Sequence, residues 1–198
     1  MKFYNNAMSP NATRVRRVAA EVGLNLANVE LDFAKGEHKT PEYMAKNPMG
    51  KIPTFEDTDG FTLWESPAIC LYLAEKAGKL MPTSLKDRAE ANRWMFWNAS
   101  HYEPIAYSVL FEKMIKPAMM KQPTDETVVA AKTKDHERFI AVLNGHLEGK
   151  EWILGNTLSV ADFVVGNTVA AAKMVGLSLP THVNAWMTRL EARPSWNK

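Results

Sequence analysis

The chain has 198 residues and a mass of 22.2 kDa, enough for one domain or two small ones around a real core. Its 46% hydrophobic and 23% charged residues are those of a globular protein, and the net charge of +2 is spread evenly, with no basic arm or stripe to mark nucleic acid or an anionic membrane as a partner. A single cysteine, Cys70, excludes an internal disulfide; with no apolar run of bilayer length and no secretory leader, a cytoplasmic protein is expected.

In chain order, "KFYNN" reads as a short strand and Pro10 to Val22 as a helix whose polar face carries Arg14, Arg16 and Arg17. "LANVELDF" reads as a second strand, and "TPEYMAKN" as one or two helical turns with Thr40 as cap and Pro41 in first position. "IPTFED" and "FTLWE" are strands around the turn Asp57-Thr58-Asp59-Gly60, which suits a hairpin. "SPAICLYLAEKAGK" is helical, with Ser66 as cap, Pro67 in first position and Gly78 near the stop. From Lys86 onward no convincing strand appears. One long helical pattern, bent near Pro104 and closed near Pro117, precedes three more: "TDETVVAAKTKDHERFIAVLNGHLEG", "SVADFVVGNTVAAAKMVG" and "PTHVNAWMTRLEAR". Strands first and helices later imply an α/β unit followed by an all-α one.

Four places bear on chemistry. Ser9 stands before a helix, where it either caps the backbone or holds an anion. Ile52-Pro53 enters a strand where proline does no harm and a cis bond is useful; the bend frees the Ile52 backbone for a peptide-like ligand, although an ordinary loop-to-strand proline reads the same. Glu65-Ser66 places a carboxylate beside a helix N-terminus, which suits the ammonium and carboxylate of an α-amino acid end group. The plain alternative is a cap and a solvated charge. His38, Lys39 and Lys51 are cations for a second carboxylate, or ordinary surface charges. Ser159 and Asp162 form a capping box, a folding signal. The five histidines and one cysteine make no metal site by spacing; His136 and His146 are expected on a helix surface, and Cys70 in a core.

In order and spacing, "SPNATRVRRVAAEVGL", "GEHKTPEYMAKNPMGKIPTFED", "LWESPAICLYLAEK" and "LSVADF" resemble the cytosolic glutathione transferases over essentially the whole chain. The likeness is to the serine-type, phi/theta-like members, bacterial relatives included; a phi-type "H-K-S-P-E" stretch matches His38 to Glu42. The resemblance implies a thioredoxin-like domain over residues 1–79, a linker over 80–86, and an all-helical domain over 87–198 that contributes the electrophile site. It implies that Ser9 stabilises the glutathione thiolate, with Asn11 nearby, and that His38, Lys39 and Lys51 lie near the glycyl carboxylate. Ile52, ahead of a cis-Pro53, would pair with the cysteinyl part, and Glu65 and Ser66 would hold the γ-glutamyl end. Lys51 stands where many relatives carry glutamine, and no cysteine occupies the position of Ser9.

The expected activity is conjugation of glutathione, as co-substrate and without a cofactor, to small, partly apolar electrophiles, by a homodimer. The electrophile is expected near Trp97, His101, Phe111 or Ile115. The alternatives are glutathione-dependent disulfide or hydroperoxide reduction, and a non-catalytic docking module on the same fold. The intact set Ser9, Lys39, Glu65 and Ser66 argues against the last, since a scaffold has no need of a complete peptide site.

Overall fold

The computed structural model describes residues 1–198, which divide into two units: Met1–Met81 with Pro194–Lys198, and Pro82–Arg193. The last turn therefore belongs with the first unit, and the helical domain expected over 87–198 stops at Arg193.

In the first unit, β1 (Lys2–Asn5), α1 (Pro10–Val22), β2 (Ala27–Glu30), α2 (Pro41–Met44), β3 (Thr54–Glu56), β4 (Thr62–Trp64) and α3 (Ser66–Ala77) follow in order. The sheet runs β2-β1-β3-β4, with β1 and β2 parallel and the other pairs antiparallel, a thioredoxin-like arrangement. A parallel pair needs a crossover, and α1 provides it. α1 packs against α3, and Ala12, Val15, Val18, Ala19 and Val22 are its buried apolar positions. Gly23 at φ +84° ends α1, its N–H bonded to the Ala19 and Ala20 carbonyls, a left-handed cap that glycine adopts without cost. Thr40 caps α2 as expected, accepting from the Tyr43 N–H at 3.3 Å. The closing turn docks on α1: the Arg17 guanidinium lies 3.8 Å from the Trp196 ring centre while its Nε donates to the Trp196 carbonyl at 2.9 Å.

In the second unit, α4 (Leu85–Trp97) passes through a π-helical turn, Asn98–Tyr102, into α5 (Glu103–Leu110). A second π-helical stretch, Phe111–Met120, follows before α6 (Glu126–Leu147), α7 (Val160–Met174) and α8 (Thr181–Glu191). The helix expected to close near Pro117 instead continues to Met120, and Lys121 ends it in left-handed geometry. Pro117 lies inside this stretch without ending it, although it supplies no N–H to the ladder. Pro104 sits at the junction of the π-helical turn with α5, within the continuous helical run, and likewise supplies no N–H. No strand forms after Lys86; only isolated bridges join Trp152 with Gly155 and Leu154 with Thr157.

His136 is buried, contrary to its expected place on a surface. Its Nε2 lies 2.9 Å from the Ser178 carbonyl, so that nitrogen is the donor, and Nδ1 accepts from the Tyr102 hydroxyl at 3.1 Å. Burial pushes its pKa down and keeps the ring neutral. His146 is half-buried against the Trp94 ring, with Nε2 at 2.8 Å from the Ile153 carbonyl.

Candidate functional site

The sheet register assembles one end of the first unit. Tyr4, Thr54 and Trp64 form a row across β1, β3 and β4. One residue further on, β1 leads into the loop before Ser9, β3 is preceded by the cis peptide Ile52-Pro53, and β4 runs into Glu65 and Ser66. Three sequence-predicted segments thus converge on one edge.

Ser9 is the N-cap of α1, half-buried, and its Oγ accepts from the Ala12 N–H at 3.2 Å. A hydroxyl that accepts still holds one proton to donate. The capping and anion-holding readings are therefore compatible. Asn11 follows as a half-buried residue of the first turn.

The cis-proline loop is held from below. The Tyr43 hydroxyl donates to the Lys51 carbonyl at 2.6 Å, and Asn47 Nδ2 reaches the same oxygen at 2.8 Å and Thr54 Oγ1 at 3.0 Å. These anchors leave the Ile52 N–H and carbonyl outside the sheet ladder. Lys39 and Lys51 are exposed and make no ion pair, while His38 lies edge-on to Phe33, their ring centres 4.5 Å apart. Gly50, at φ +56°, is required where the chain passes Lys39: a Cβ there would stand 2.7 Å from Lys39 Nζ and 3.1 Å from the His38 carbonyl. Gly50 thus lets the chain just before Lys51 pass close to His38 and Lys39.

Ser66 corrects the sequence reading. It is the first residue of α3, the cap position belongs to Glu65, and no side chain caps this helix. Glu65 is exposed at φ +71°, a conformation non-glycine residues rarely adopt and one that recurs at ligand sites. Its carboxylate forms no hydrogen bond or ion pair within the chain. Ser66 is buried, and its Oγ accepts from Arg14 Nη1 at 3.1 Å. Arg14, expected on the polar face of α1, is fully buried instead. Its spacing held the clue: 14, 18 and 22 share a helix face, and Val18 and Val22 are both core residues.

Cys70 is also buried, and desolvation pushes its thiol up to about 12, which removes it as a nucleophile at neutral pH. No cluster of three His, Cys, Asp or Glu side chains could hold a metal ion, and no helix is long and apolar enough to cross a membrane.

Comparison with known proteins gives this edge its context. Residues 1–75 match the glutathione S-transferase N-terminal domain and residues 106–194 the C-terminal domain. The probable glutathione S-transferase GSTF2 of Oryza sativa subsp. japonica is 38% identical over 207 aligned positions, covering 100% of this chain and 94% of that protein. A solved glutathione S-transferase-I bound with lactoylglutathione superposes with a TM-score of 0.91 at 30% identity, covering 99% of this chain and 96% of the other. A possible glutathione S-transferase from Rhodopseudomonas palustris superposes with a TM-score of 0.85 at 32% identity, covering 98% and 87%. Likeness of this length in both sequence and fold has one reading: the chain belongs to the glutathione S-transferase family.

Proposed function

We propose that this glutathione transferase joins the glutathione thiolate to small, partly apolar electrophiles, with Ser9 as the group that holds the thiolate. The observation that carries the proposal is the Ser9 hydroxyl, which accepts from the Ala12 N–H and so keeps its own proton for an anion in front of α1. A thiol of ordinary pKa, about 8.5, is only a few per cent ionised at neutral pH. Lowering it by about two units takes roughly 2.7 kcal/mol of preference for the anion. A hydrogen bond to a charged acceptor contributes about 1.5–3 kcal/mol, and the helix end about 0.3–1 more. The sum suffices without a general base. Ser9 donates throughout and forms no covalent bond; the sulfur attacks the electrophilic carbon, and the leaving group departs with the electron pair of its broken bond.

The rest of the peptide is held by matching charges. Glu65 takes the γ-glutamyl ammonium, and Ser66 with the free N–H groups of the α3 start takes its carboxylate. The Ile52 backbone pairs with the cysteinyl part beside cis-Pro53. His38, Lys39 and Lys51 face the glycyl carboxylate, and Asn11 flanks the sulfur. The reading extends to a homodimer in the cytoplasm, in keeping with the exposed Leu85 and Phe96 of α4 and with a lone, buried cysteine.

The test is retention on immobilised glutathione, together with glutathione consumption against electrophiles, disulfides and hydroperoxides. Retention with fast S-conjugate formation is expected. Reduction outpacing conjugation would turn the reading to a reductase, and retention without turnover to a binding module. Light scattering should give twice the 22.2 kDa chain mass.

A further inference from the structure

Arg16 reaches back from the second turn of α1 to the loop that delivers Ser9. Its Nη2 donates to the Ala7 carbonyl at 3.2 Å, ahead of Ser9, and to Thr13 Oγ1 at 2.7 Å, behind it. Thr13 Oγ1 in turn donates to the Ser9 carbonyl at 3.0 Å. One nitrogen therefore ties the chain on both sides of Ser9. The guanidinium is itself aimed: Nη1 donates at 2.7 Å to Oδ1 of Asn5, which is fully buried at the end of β1. The Asn5 amide donates to the Phe3 carbonyl and to Asn28 Oδ1 on β2. From the other side Glu30, the last residue of β2, accepts from the Ala7 N–H at 2.8 Å. Both backbone groups of Ala7 are thus gripped by charged side chains. Asn6 adds a tie to the Leu31 carbonyl at 3.3 Å, and the Ser9 N–H closes the turn on the Asn6 carbonyl at 3.0 Å. The loop has little else to hold it, because Ala7 and Met8 are exposed, Met8 by 90%. Polar ties, not apolar packing, set where this loop lies.

We propose that Arg16, with Glu30 as its counterpart on β2, is a positioning residue for Ser9: it fixes the loop before the hydroxyl and the helical turn after it, so that the donor stands preformed for the thiolate. A donor already in place needs no reorganisation when the anion forms, and a loose one must first be ordered. The inference rests on the assignment of the thiolate to Ser9. Arg16 acts through that hydroxyl and not on the sulfur, so its loss should show in thiol ionisation rather than in peptide binding. Charge and position make opposite predictions at Glu30. Removing an anion near the site would by its field alone favour the thiolate and lower its pKa, whereas releasing Ala7 should raise it.

The test titrates thiolate absorbance in glutathione complexes of the full chain carrying Arg16→Ala or Glu30→Ala, each also in the Ser9→Ala background. Both single variants should raise the thiol pKa by about 0.5–1 unit, and turnover near neutral pH should fall by roughly three- to tenfold. The glutathione Kd should stay within about twofold, so that the loss falls on kcat. In the Ser9→Ala background neither substitution should move the thiol pKa further. A raised pKa in Arg16→Ala beside a lowered one in Glu30→Ala would mark a field effect and overturn the role. Shifts that persist undiminished without the Ser9 hydroxyl would overturn it as well. So would lower melting temperatures with titrations that overlay the parent's, which would leave both residues structural. Where Arg16→Ala does not fold, Glu30→Ala carries the test, since Glu30 is exposed at the edge of the sheet. An unmoved thiol pKa in Ser9→Ala itself would instead remove the assignment of the thiolate to Ser9, and this inference with it.

Discussion

Ser9 and Ser159 each stand one residue ahead of a helix, yet they engage their surroundings differently. Ser159 is 1% exposed, and both its N–H and its hydroxyl donate to Asp162 Oδ2, at 2.9 and 3.0 Å. The other carboxylate oxygen accepts from the Ile153 N–H at 2.8 Å and from Trp186 Nε1 at 3.0 Å. Every polar group of this capping box is directed inward. Ser9 is half-buried, accepts from one backbone N–H and, in the function proposed above, gives its hydroxyl proton to a ligand. The same residue type at the same helical position thus serves the fold at α7 and is available for chemistry at α1. What separates the two is the destination of the hydroxyl proton, not the presence of the cap.

That contrast is open to attack at both ends. The largest effect should come from Asp162→Ala, which leaves the Ile153 and Ser159 N–H groups, the Ser159 hydroxyl and the Trp186 indole without their buried acceptor. The loss should be about 3–5 kcal/mol of stability. A thermal melt checks it, and an unmoved melting temperature would show that the box contributes little.

Next comes Ser9→Ala, which should raise the pKa of bound glutathione by about one to two units, at ~1.4 kcal/mol per unit. Turnover near neutral pH should fall by roughly ten- to a hundredfold and recover in part as pH rises and ionises the thiol. Thiolate absorbance titrated in both glutathione complexes reads this directly. Superimposable curves would take Ser9 out of the mechanism and bring Asn11 forward.

Ser159→Ala sharpens the contrast from the other side: about 0.5–2 kcal/mol of stability should go, with the pH–rate profile of the remaining folded enzyme overlaying the parent's. A displaced profile above an unchanged melt would erase the distinction.

The smallest effect concerns acid sensitivity in the first unit. Glu56 accepts from Lys46 at 2.7 Å, Lys2 at 3.0 Å and the Tyr4 hydroxyl at 2.8 Å, and these donors, Lys46 foremost, hold its carboxyl at about 2. Because the folded pKa is depressed, its stabilising share is complete above the ordinary value of 4.5 and is lost as pH falls toward about 2. Glu56→Gln should flatten the acid limb of the stability profile between those values. An acid limb of unchanged slope would assign it to other carboxylates.

Local chemistry was legible in the sequence, and tertiary override was not. Caps at Ser9, Thr40 and Ser159, the stop at Gly78 and the hairpin turn at Asp57–Gly60 depend on a few adjacent residues, and each stands where its spacing placed it. Ser66 reads from sequence as the cap of its helix, but Glu65 takes the cap position at positive φ, which no local propensity favours. Charge alone places Arg14 and His136 on surfaces, whereas periodicity places both inside. His136 lies in register with the buried Val129, Ile140, Leu143 and Leu147, as Arg14 does with Val18 and Val22. The π-helical stretches leave the hydrophobic spacing almost helical, so nothing in the sequence separates them from an α-helix ended by Pro117.

The docking of Pro194–Lys198 on α1 has a consequence for how the chain is made. The first unit receives its final turn, with Trp196 against Arg17 and Ser195 bonded to Glu21, only when those residues have left the ribosome. During synthesis, the part translated first is therefore the part completed last. A probe attached at Lys198 would adjoin the closing turn of the first unit, although in the linear sequence it follows the helices.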